Sequence, residues 1–280
     1  MSLTIERLTS AIGAEISGVD LSSNLSDTAV GEIRQALLDH QVLVFREQDL
    51  TTESHISFAR RFGDIMRPPV PTAHGGPPEI NVLDQTRPRG EGADNWHADN
   101  TYTKAPPMGS LLRVLELPSV GGDTGFASMT AAYDALSQPI QRLCDGLTAI
   151  HDVTRSLTKA IARGHSIANL TEMQAALPPV EHPVVTAHPE TGARTLFVNL
   201  NSTTRIVGMS ERESDMLLGF LFEHVKSPEF QARVKWDTRT LVFLDNRCTQ
   251  HYAVPDYDER RVLHRVAIEG TEPVAAVARS

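Results

Sequence analysis

Two short stretches concentrate the groups able to hold a metal ion. The first is Asn95-Trp96-His97-Ala98-Asp99. In extended backbone, residues i and i+2 project from one face, so an extended run from Trp96 to Asn100 sets His97 and Asp99 side by side toward a single ion. Imidazole nitrogen with carboxylate oxygen suits a first-row divalent metal of intermediate hardness. A lone His-x-Asp also arises by chance, and then it is a solvated pair at a strand edge. The second stretch lies far downstream: Asp245-Asn246-Arg247-Cys248-Thr249-Gln250-His251-Tyr252-Ala253, then Arg260-Arg261-Val262-Leu263-His264-Arg265. A distal His251 completes a set of two histidines and one carboxylate on one face of the metal. That set leaves adjacent positions open for a chelating co-substrate and dioxygen. Arg261 follows His251 by ten residues, room for a strand, a turn and a return strand. It can then face the same interior and grip a carboxylate through its planar fork.

These residues need elements to bring them together. Ser26 or Asp27 caps a helix whose apolar positions Val30, Ile33 and Leu37 recur at helical spacing. Val42-Leu43-Val44-Phe45 follows as a short buried strand. A second helix starts at Thr51 or Thr52, carries Ile56, Ala59 and Phe62, and ends at a C-cap on Gly63. Prolines and glycines punctuate residues 66–95 around one strand-like run, Ile80 to Leu83, the composition of a lid or binding loop. Downstream, extended runs predominate at 110–115, 124–127, 183–186, 195–199, 240–244 and 261–268. Helices interrupt them near 130–136, 139–143 and 211–224, the last opened by a capping box of Ser210 and Glu213. Residues 158–180 read as a second lid-like excursion. Many short strands with scattered helices and no internal repeat predict one domain over residues 1–280, mainly β with flanking helices, an antiparallel barrel or jelly roll.

Composition narrows the function classes. The chain has 280 residues, enough for a core that needs no staples. Lys plus Arg total 26 against 35 Asp plus Glu, a net charge of −9 with no block of like charge. This is not the footprint of a nucleic-acid binder or of a protein held on an anionic membrane. No apolar run approaches the roughly 20 residues of a membrane span, and Met-Ser-Leu-Thr-Ile-Glu-Arg lacks the character of a signal peptide. Two cysteines, Cys144 and Cys248, make neither a disulfide framework nor a sulfur-ligated zinc site. The reading is a cytoplasmic protein, in which the Asn-x-Ser/Thr matches at Asn24, Asn169 and Asn201 are chance. Eleven histidines are then the feature to be explained.

The chain resembles, along nearly its whole length, the taurine dioxygenase and 2,4-dichlorophenoxyacetate dioxygenase family of iron(II)- and 2-oxoglutarate-dependent oxygenases. The resemblance runs in order through Ile16-Ser17-Gly18-Val19-Asp20-Leu21, Phe58-Ala59-Arg60-Arg61-Phe62-Gly63, and Trp96-His97-Ala98-Asp99. It continues through Leu117-Pro118-Ser119, Gly121-Gly122-Asp123-Thr124, His182-Pro183-Val184-Val185, Asp245-Asn246-Arg247, Thr249-Gln250-His251-Tyr252 and the closing arginine strand. It implies a double-stranded β-helix, a jelly roll whose mouth holds Fe(II) on His97, Asp99 and His251. It implies that Arg261 pairs with the distal carboxylate of 2-oxoglutarate, that Thr124 adds a hydroxyl donor, and that O2 binds beside the keto acid. The implied product chemistry is hydroxylation of a substrate carbon with release of succinate and carbon dioxide. Asp99 separates the chain from halogenating relatives, which carry a small residue there. Relatives are often dimers or tetramers, so a homo-oligomer is implied.

Substrate choice rests on Arg265, which shares a strand face with Arg261 and Leu263. Its counterpart in the taurine enzyme binds an anionic head, which implies a small organic anion: a sulfonate, a sulfate ester or a carboxylate such as an aryloxyalkanoate. The plain alternative for Arg265 is a helper charge in an ion pair. Other taurine-contacting positions differ here. Met66-Arg67-Pro68-Pro69-Val70-Pro71 has no match to the family's His and Tyr, a pocket asparagine falls at Ala93, and two phenylalanines fall near Leu157 and Ser202. These differences speak against taurine itself. Gly122 to Phe126 and Cys248 to Tyr257 are nearer to the phenoxypropionate dioxygenases. The competing functions are a jelly-roll isomerase or hydrolase using its metal as a Lewis acid, which needs no Arg261 and Thr124 pair, and a non-catalytic binding protein.

Among the other histidines, His264 faces away from Arg265 and reads as structural, as do His182 and His188 before proline. His151 suits packing and substrate contact equally. His40, His55 and His224 read as surface or capping residues on helices, and His74 as a lid residue. Trp96 should pack beside the metal strand and Trp236 fill a strand face. Cys248 reads as a small buried apolar residue.

Overall fold

The computed structural model describes residues 3–69, 76–86, 94–162 and 168–277. Strands β1 (Thr4–Arg7) and β2 (Ala14–Ser17) lead into helix α1 (Asp27–His40), whose N-cap Ser26 accepts a hydrogen bond from the Ala29 backbone. β3 (Val42–Phe45) follows directly, then α2 (Thr52–Arg60), capped by Thr51. α2 ends on Arg61 in right-handed geometry, not on Gly63 as the sequence predicts. Gly63 is required for close approach instead, because a Cβ there would lie 2.9 Å from Ile268 Cγ2.

The chain continues through β4 (Ile65–Met66), β5 (Asn81–Thr86), β6 (Gly109–Glu116) and β7 (Thr124–Ser128) to α3 (Met129–Asp134) and α4 (Gln138–Cys144). β8 (Thr148–His151), α5 (Thr154–Ala162), α6 (Leu170–Ala176) and β9 (Val180–Pro183) come next, then β10 (Val185–Ala187), β11 (Arg194–Leu196) and β12 (Thr203–Ile206). After α7 (Glu211–His224), β13 (Gln231–Val234), β14 (Leu241–Asp245), β15 (Thr249–Ala253) and β16 (Arg260–Ile268) close the fold. The predicted Ser210–Glu213 capping box is present on α7. The single run expected at 183–186 is two strands: β9 pairs with β8, and β10 pairs with β11. The first stretch expected as a lid contains the end of β4 and, at its expected strand-like run, β5; the second contains part of α5 and α6. Residues 70–75, 87–93 and 163–167, with His74 and Ala93, lie outside the described residues.

One sheet has the order β1-β2-β3-β14-β6-β16-β4, with β5 also paired to β16. A three-stranded sheet, β13-β7-β15, faces it. Leu112, Val114, Val242, Leu244 and Leu263 of the first pack with Phe126, Ala232, Val234 and Trp236 of the second in one core cluster. α1 and α2 cover the outer face of the large sheet, where Ile33, Leu37, Phe58 and Ala59 meet Leu111, Phe243 and Ile268. α3 and α7 cover the other side with β8, β10, β11 and β12. This is the jelly roll expected: mainly β, with helices on the flanks. Its two sheets open toward the residues singled out above.

Candidate metal centre and anion site

His97 and His251 face each other across an isolated antiparallel bridge. The His97 N–H donates to the His251 carbonyl at 3.0 Å, and the His251 N–H donates to that of His97 at 2.8 Å. Their ring centroids are 4.3 Å apart. His97 Nδ1 donates to the Asn95 carbonyl at 2.8 Å, which fixes its tautomer and leaves the Nε2 lone pair facing inward. Asp99 Oδ1 lies 4.0 Å from the Nε2 atom of each histidine. The expectation of an extended run from 96 to 100 is corrected in part. Only His97 is strand-like, and the chain turns at Asp99 and Asn100, where Asn100 adopts a φ of +50°. Asp99 reaches the histidines from that turn, with Ser110 Oγ of β6 donating to its Oδ2 at 2.8 Å.

Electrostatics prepares these groups as ligands. Burial pushes His251 down to about 3, with His97 and Arg265 adding to it, and burial also lowers His97. Both imidazoles are therefore neutral at physiological pH. For Asp99, burial acts upward, but the Arg265 guanidinium and then the two imidazoles outweigh it and hold the carboxyl well below its usual range. Two neutral nitrogens and one carboxylate oxygen, all within 4.8 Å of one another, are the donor set of a first-row divalent ion, so the residues fit the metal that the resemblance implies. Arg265 donates from Nη1 to Asp99 Oδ1. The structure thus shows Arg265 in an ion pair with one of the candidate metal ligands.

His188, Asp245 and Cys248 form a second compact group. Its donor atoms are already committed. His188 Nε2 donates to Asp245 Oδ2 at 3.0 Å, and its Nδ1 accepts the backbone N–H groups of Glu190 and Thr191. Arg247 grips both Asp245 oxygens, at 2.8 and 2.6 Å, and burial raises the Cys248 thiol far above its usual value. This group is a staple for the β14–β15 turn, and Cys248 is the inert residue expected.

Farther along β16, Arg261 is 3% exposed. Its Nε donates to the Gly122 carbonyl at 2.8 Å and its Nη2 to Thr124 Oγ1 at 3.0 Å. Trp236 Nε1 also donates to Thr124 Oγ1, at 3.0 Å, and the Trp236 ring lies 5.8 Å from the guanidinium carbon. Gly122 must be glycine: its φ is +75°, and a Cβ would come within 3.2 Å of Arg261 Cδ. Burial disfavours the Arg261 guanidinium, and Tyr257 and the Asp123 carboxylate act in the opposite sense. Its planar fork is suited to a carboxylate.

The residues proposed from sequence therefore gather into two neighbouring groups, His97, Asp99, His251 and Arg265 in one, Thr124 and Arg261 in the other. Sequence reasoning missed Ser110, which carries no motif, and read Trp236 as filler although its indole donates to Thr124. It also gave no role to Asn246, whose only signal was its place within Asp245-Asn246-Arg247. His55 is a correction: it is wholly buried under α2, where that helix packs on the sheet beside Arg113. His224 is half-buried, with Nε2 donating to the Ala132 carbonyl at 2.8 Å. His151 is buried against Thr101 and Thr203. Trp96 packs beside the metal strand as expected, its ring 4.5 Å from that of Tyr252.

Comparison with known proteins places this geometry. Residues 4–267 match the profile of the taurine catabolism dioxygenase TauD, TfdA family. An alkylsulfatase of Acinetobacter baylyi is 38% identical over 273 residues, covering 96% of this chain and 85% of that protein. An alpha-ketoglutarate-dependent sulfate ester dioxygenase of Pseudomonas putida is 36% identical over 286 residues, covering 98% and 92%. The crystal structure of AAD-2 in complex with Mn(II) and N-oxalylglycine superposes with a TM-score of 0.84 at 30% identity, covering 98% of this chain and 100% of the other.

Proposed function

The chain belongs to the taurine catabolism dioxygenase TauD, TfdA family, and from that premise we propose that it is an iron(II)- and 2-oxoglutarate-dependent dioxygenase hydroxylating a C–H bond of a small organic anion. The observation that carries the reading is Arg261, a buried guanidinium held rigid by Gly122, Thr124 and Trp236 on the strand that also brings Arg265 to Asp99. A Lewis-acid hydrolase has no use for such a group; a dicarboxylate co-substrate needs it.

His97, Asp99 and His251 hold the metal. Iron(II) bound there supplies the activation of dioxygen that couples decarboxylation of 2-oxoglutarate, to succinate and carbon dioxide, with hydroxylation of the substrate. The remaining roles belong to this chain's residues. Arg261 binds the distal carboxylate of 2-oxoglutarate. Thr124 Oγ1 already accepts two N–H donors, so its own proton is left to donate to that carboxylate. Phe126 stacks on His251 at 6.1 Å and walls the ring from water. Arg265 lies roughly 13 Å of strand beyond Arg261 on the same face; one nitrogen bonds Asp99, and the donors left over receive the anionic head of the substrate.

The substrate class is a sulfate ester, a sulfonate or an aryloxyalkanoate. The alkylsulfatase and sulfate ester dioxygenase relatives favour the first. Residues 1–280 act as one catalytic domain, with segments 66–95 and 158–180 as covers. Support for this comes from β5, paired along β16 beside both arginines, and from Tyr102, which packs with α5 and α6 residues. The protein works as a cytoplasmic homo-oligomer, a dimer or tetramer, without nucleic-acid or membrane partners. Its acidic charge supports the lack of nucleic-acid partners; no described helix is long and apolar enough to cross a membrane.

Anaerobic addition of iron(II) and 2-oxoglutarate should produce a weak visible charge-transfer band. Aerobic succinate release should then rise with at least one member of a panel of alkyl sulfates, sulfonates and aryloxyalkanoates. No band, and no succinate above background with any of them, rejects the reading.

A further inference from the structure

Asn246 sits in the turn between β14 and β15, 1% exposed, and makes three side-chain hydrogen bonds. We propose that Asn246 is a positioning residue for the metal: its amide fixes the main chain of Asp99, and Ser110 then selects which oxygen of Asp99 faces the ion. The proposal rests on the reading of His97, Asp99 and His251 as the metal centre.

Asp99 lies in a turn, outside any strand, so no β-ladder satisfies its backbone. Asn246 takes the place of a partner strand. Its Oδ1 accepts the Asp99 N–H at 2.7 Å, and its Nδ2 donates to the Asp99 carbonyl at 3.0 Å. Both ends of the amide are used, so the side chain has one orientation. The same Nδ2 donates to the Pro107 carbonyl at 3.1 Å, just before β6 begins at Gly109 and brings in Ser110. Asn246 thus ties together the three segments that build the carboxylate side of the centre: the Asp99 turn, the entry to β6 and the turn that leads to His251.

The clamp is itself rigid. The Asn246 N–H donates to the Met108 carbonyl at 2.9 Å. Thr249 Oγ1 donates to the Asp245 carbonyl at 2.7 Å, and Arg247 and His188 pin the Asp245 carboxylate. Directly after Asp99 the chain enters the left-handed region at Asn100, a conformation that persists only where its surroundings hold it. With the backbone fixed, Ser110 Oγ binds Oδ2, while Oδ1, which also accepts from Arg265 Nη1, lies 4.0 Å from each Nε2. Partners of this kind, one bond removed from a ligand, set its orientation and typically change metal affinity by 10–100-fold.

The test uses the full chain and Co(II) as the probe, with affinity from calorimetry, ligand-field absorption as the geometric signature, and Tm as the stability control. Wild-type protein should bind Co(II). N246A should bind it roughly 10–100-fold more weakly with an altered spectrum. Should N246A not fold, N246D keeps the volume and the acceptor for the Asp99 N–H while losing both donated bonds. It is expected to bind several-fold more weakly, again with a changed spectrum. S110A should change the spectrum by freeing Oδ2. S210A removes the N-cap of α7, a helix that supplies no group to the centre, and it should lower Tm while leaving Co(II) affinity within about twofold. Wild-type affinity and spectrum in a folded Asn246 variant overturn the proposal. So does an equal loss of affinity in S210A at equal Tm. Failure of the wild-type protein to bind Co(II) instead overturns the metal-centre reading.

Discussion

At the scale of single residues, the proposed centre separates into groups assigned to the ion and groups assigned to its organic partners. H97A and D99A should each abolish stable metal retention, measured as metal content after gel filtration; full occupancy in either variant contradicts the assignment. In the proposed reading Arg261 and Thr124 bind 2-oxoglutarate. R261Q removes a charge-assisted grip worth about 1.5–3 kcal/mol, so the KM for 2-oxoglutarate should rise at least about tenfold. W236F removes one neutral donor to Thr124, and the same KM should rise by about two- to tenfold. R265Q separates the two roles open to Arg265. A substrate role raises the KM for the organic anion about tenfold or more and leaves that for 2-oxoglutarate nearly unchanged; an ion-pair role alone leaves both unchanged. The pattern His97, Asp99, His251 and Arg261 was legible because metal ligation and carboxylate binding demand particular residue types. Ser110 and Trp236 were not, because a serine or tryptophan on a strand has many ordinary uses and only the partner across the fold distinguishes them.

At the scale of elements, the helices and small strands hold titratable groups outside the candidate metal centre. His55 on α2 is pushed down to about 3 by burial, with Arg113 and His264 adding to it, and His151 on β8 to about 3 by burial, with His182 beside it. Each titrates near 6.5 in the unfolded chain. Protonation therefore favours the unfolded state, and the stability each contributes is complete above pH 6.5 and lost as pH falls toward 3. The slope is about 1.4 kcal/mol per pH unit for each group, so unfolding free energy should drop by about 2 kcal/mol per histidine between pH 7 and pH 5. Urea denaturation at the two pH values checks this, and H55Q should remove its share of the drop; an unchanged difference would show that His55 does not titrate this way. α1, α2 and α7 were readable from caps and apolar spacing. Gly63 was misread because a glycine after a helix looks like a cap whether it serves the backbone or, as here, the approach of Ile268. His55 was misread because α2 is short and amphipathic, and nothing local says which side the sheet will cover.

At the scale of the whole molecule, the site is the seam of the sandwich. β6 and β16 of the large sheet supply Ser110, Arg261 and Arg265; β7 and β15 of the small sheet supply Thr124 and His251; His97 bridges to β15. Ligands bound across that seam join the two sheets, so they should stabilise the fold as a unit. At a free concentration of about 100 Kd, binding contributes about 2.7 kcal/mol. Co(II) with 2-oxoglutarate should therefore raise Tm by several degrees, a chelator should reverse the rise, and D99A should show none of it. A Tm indifferent to both would place the binding groups outside the cooperative core.

The chain by itself carried a His-x-Asp pair, two arginines four residues apart on one strand, and enough short strands to make a jelly roll. Those features are local, and periodicity and residue type express them directly; only the family resemblance joined the distant His251 to them. Tertiary structure alone decided how the groups meet. It placed Asp99 in a turn instead of a strand, gave that turn a partner in Asn246, set Arg265 against Asp99, and put Trp236 and Gly122 around Arg261. Each of these depends on contacts between segments more than a hundred residues apart, where hydrogen-bond geometry and burial, and no pattern along the chain, choose the partner.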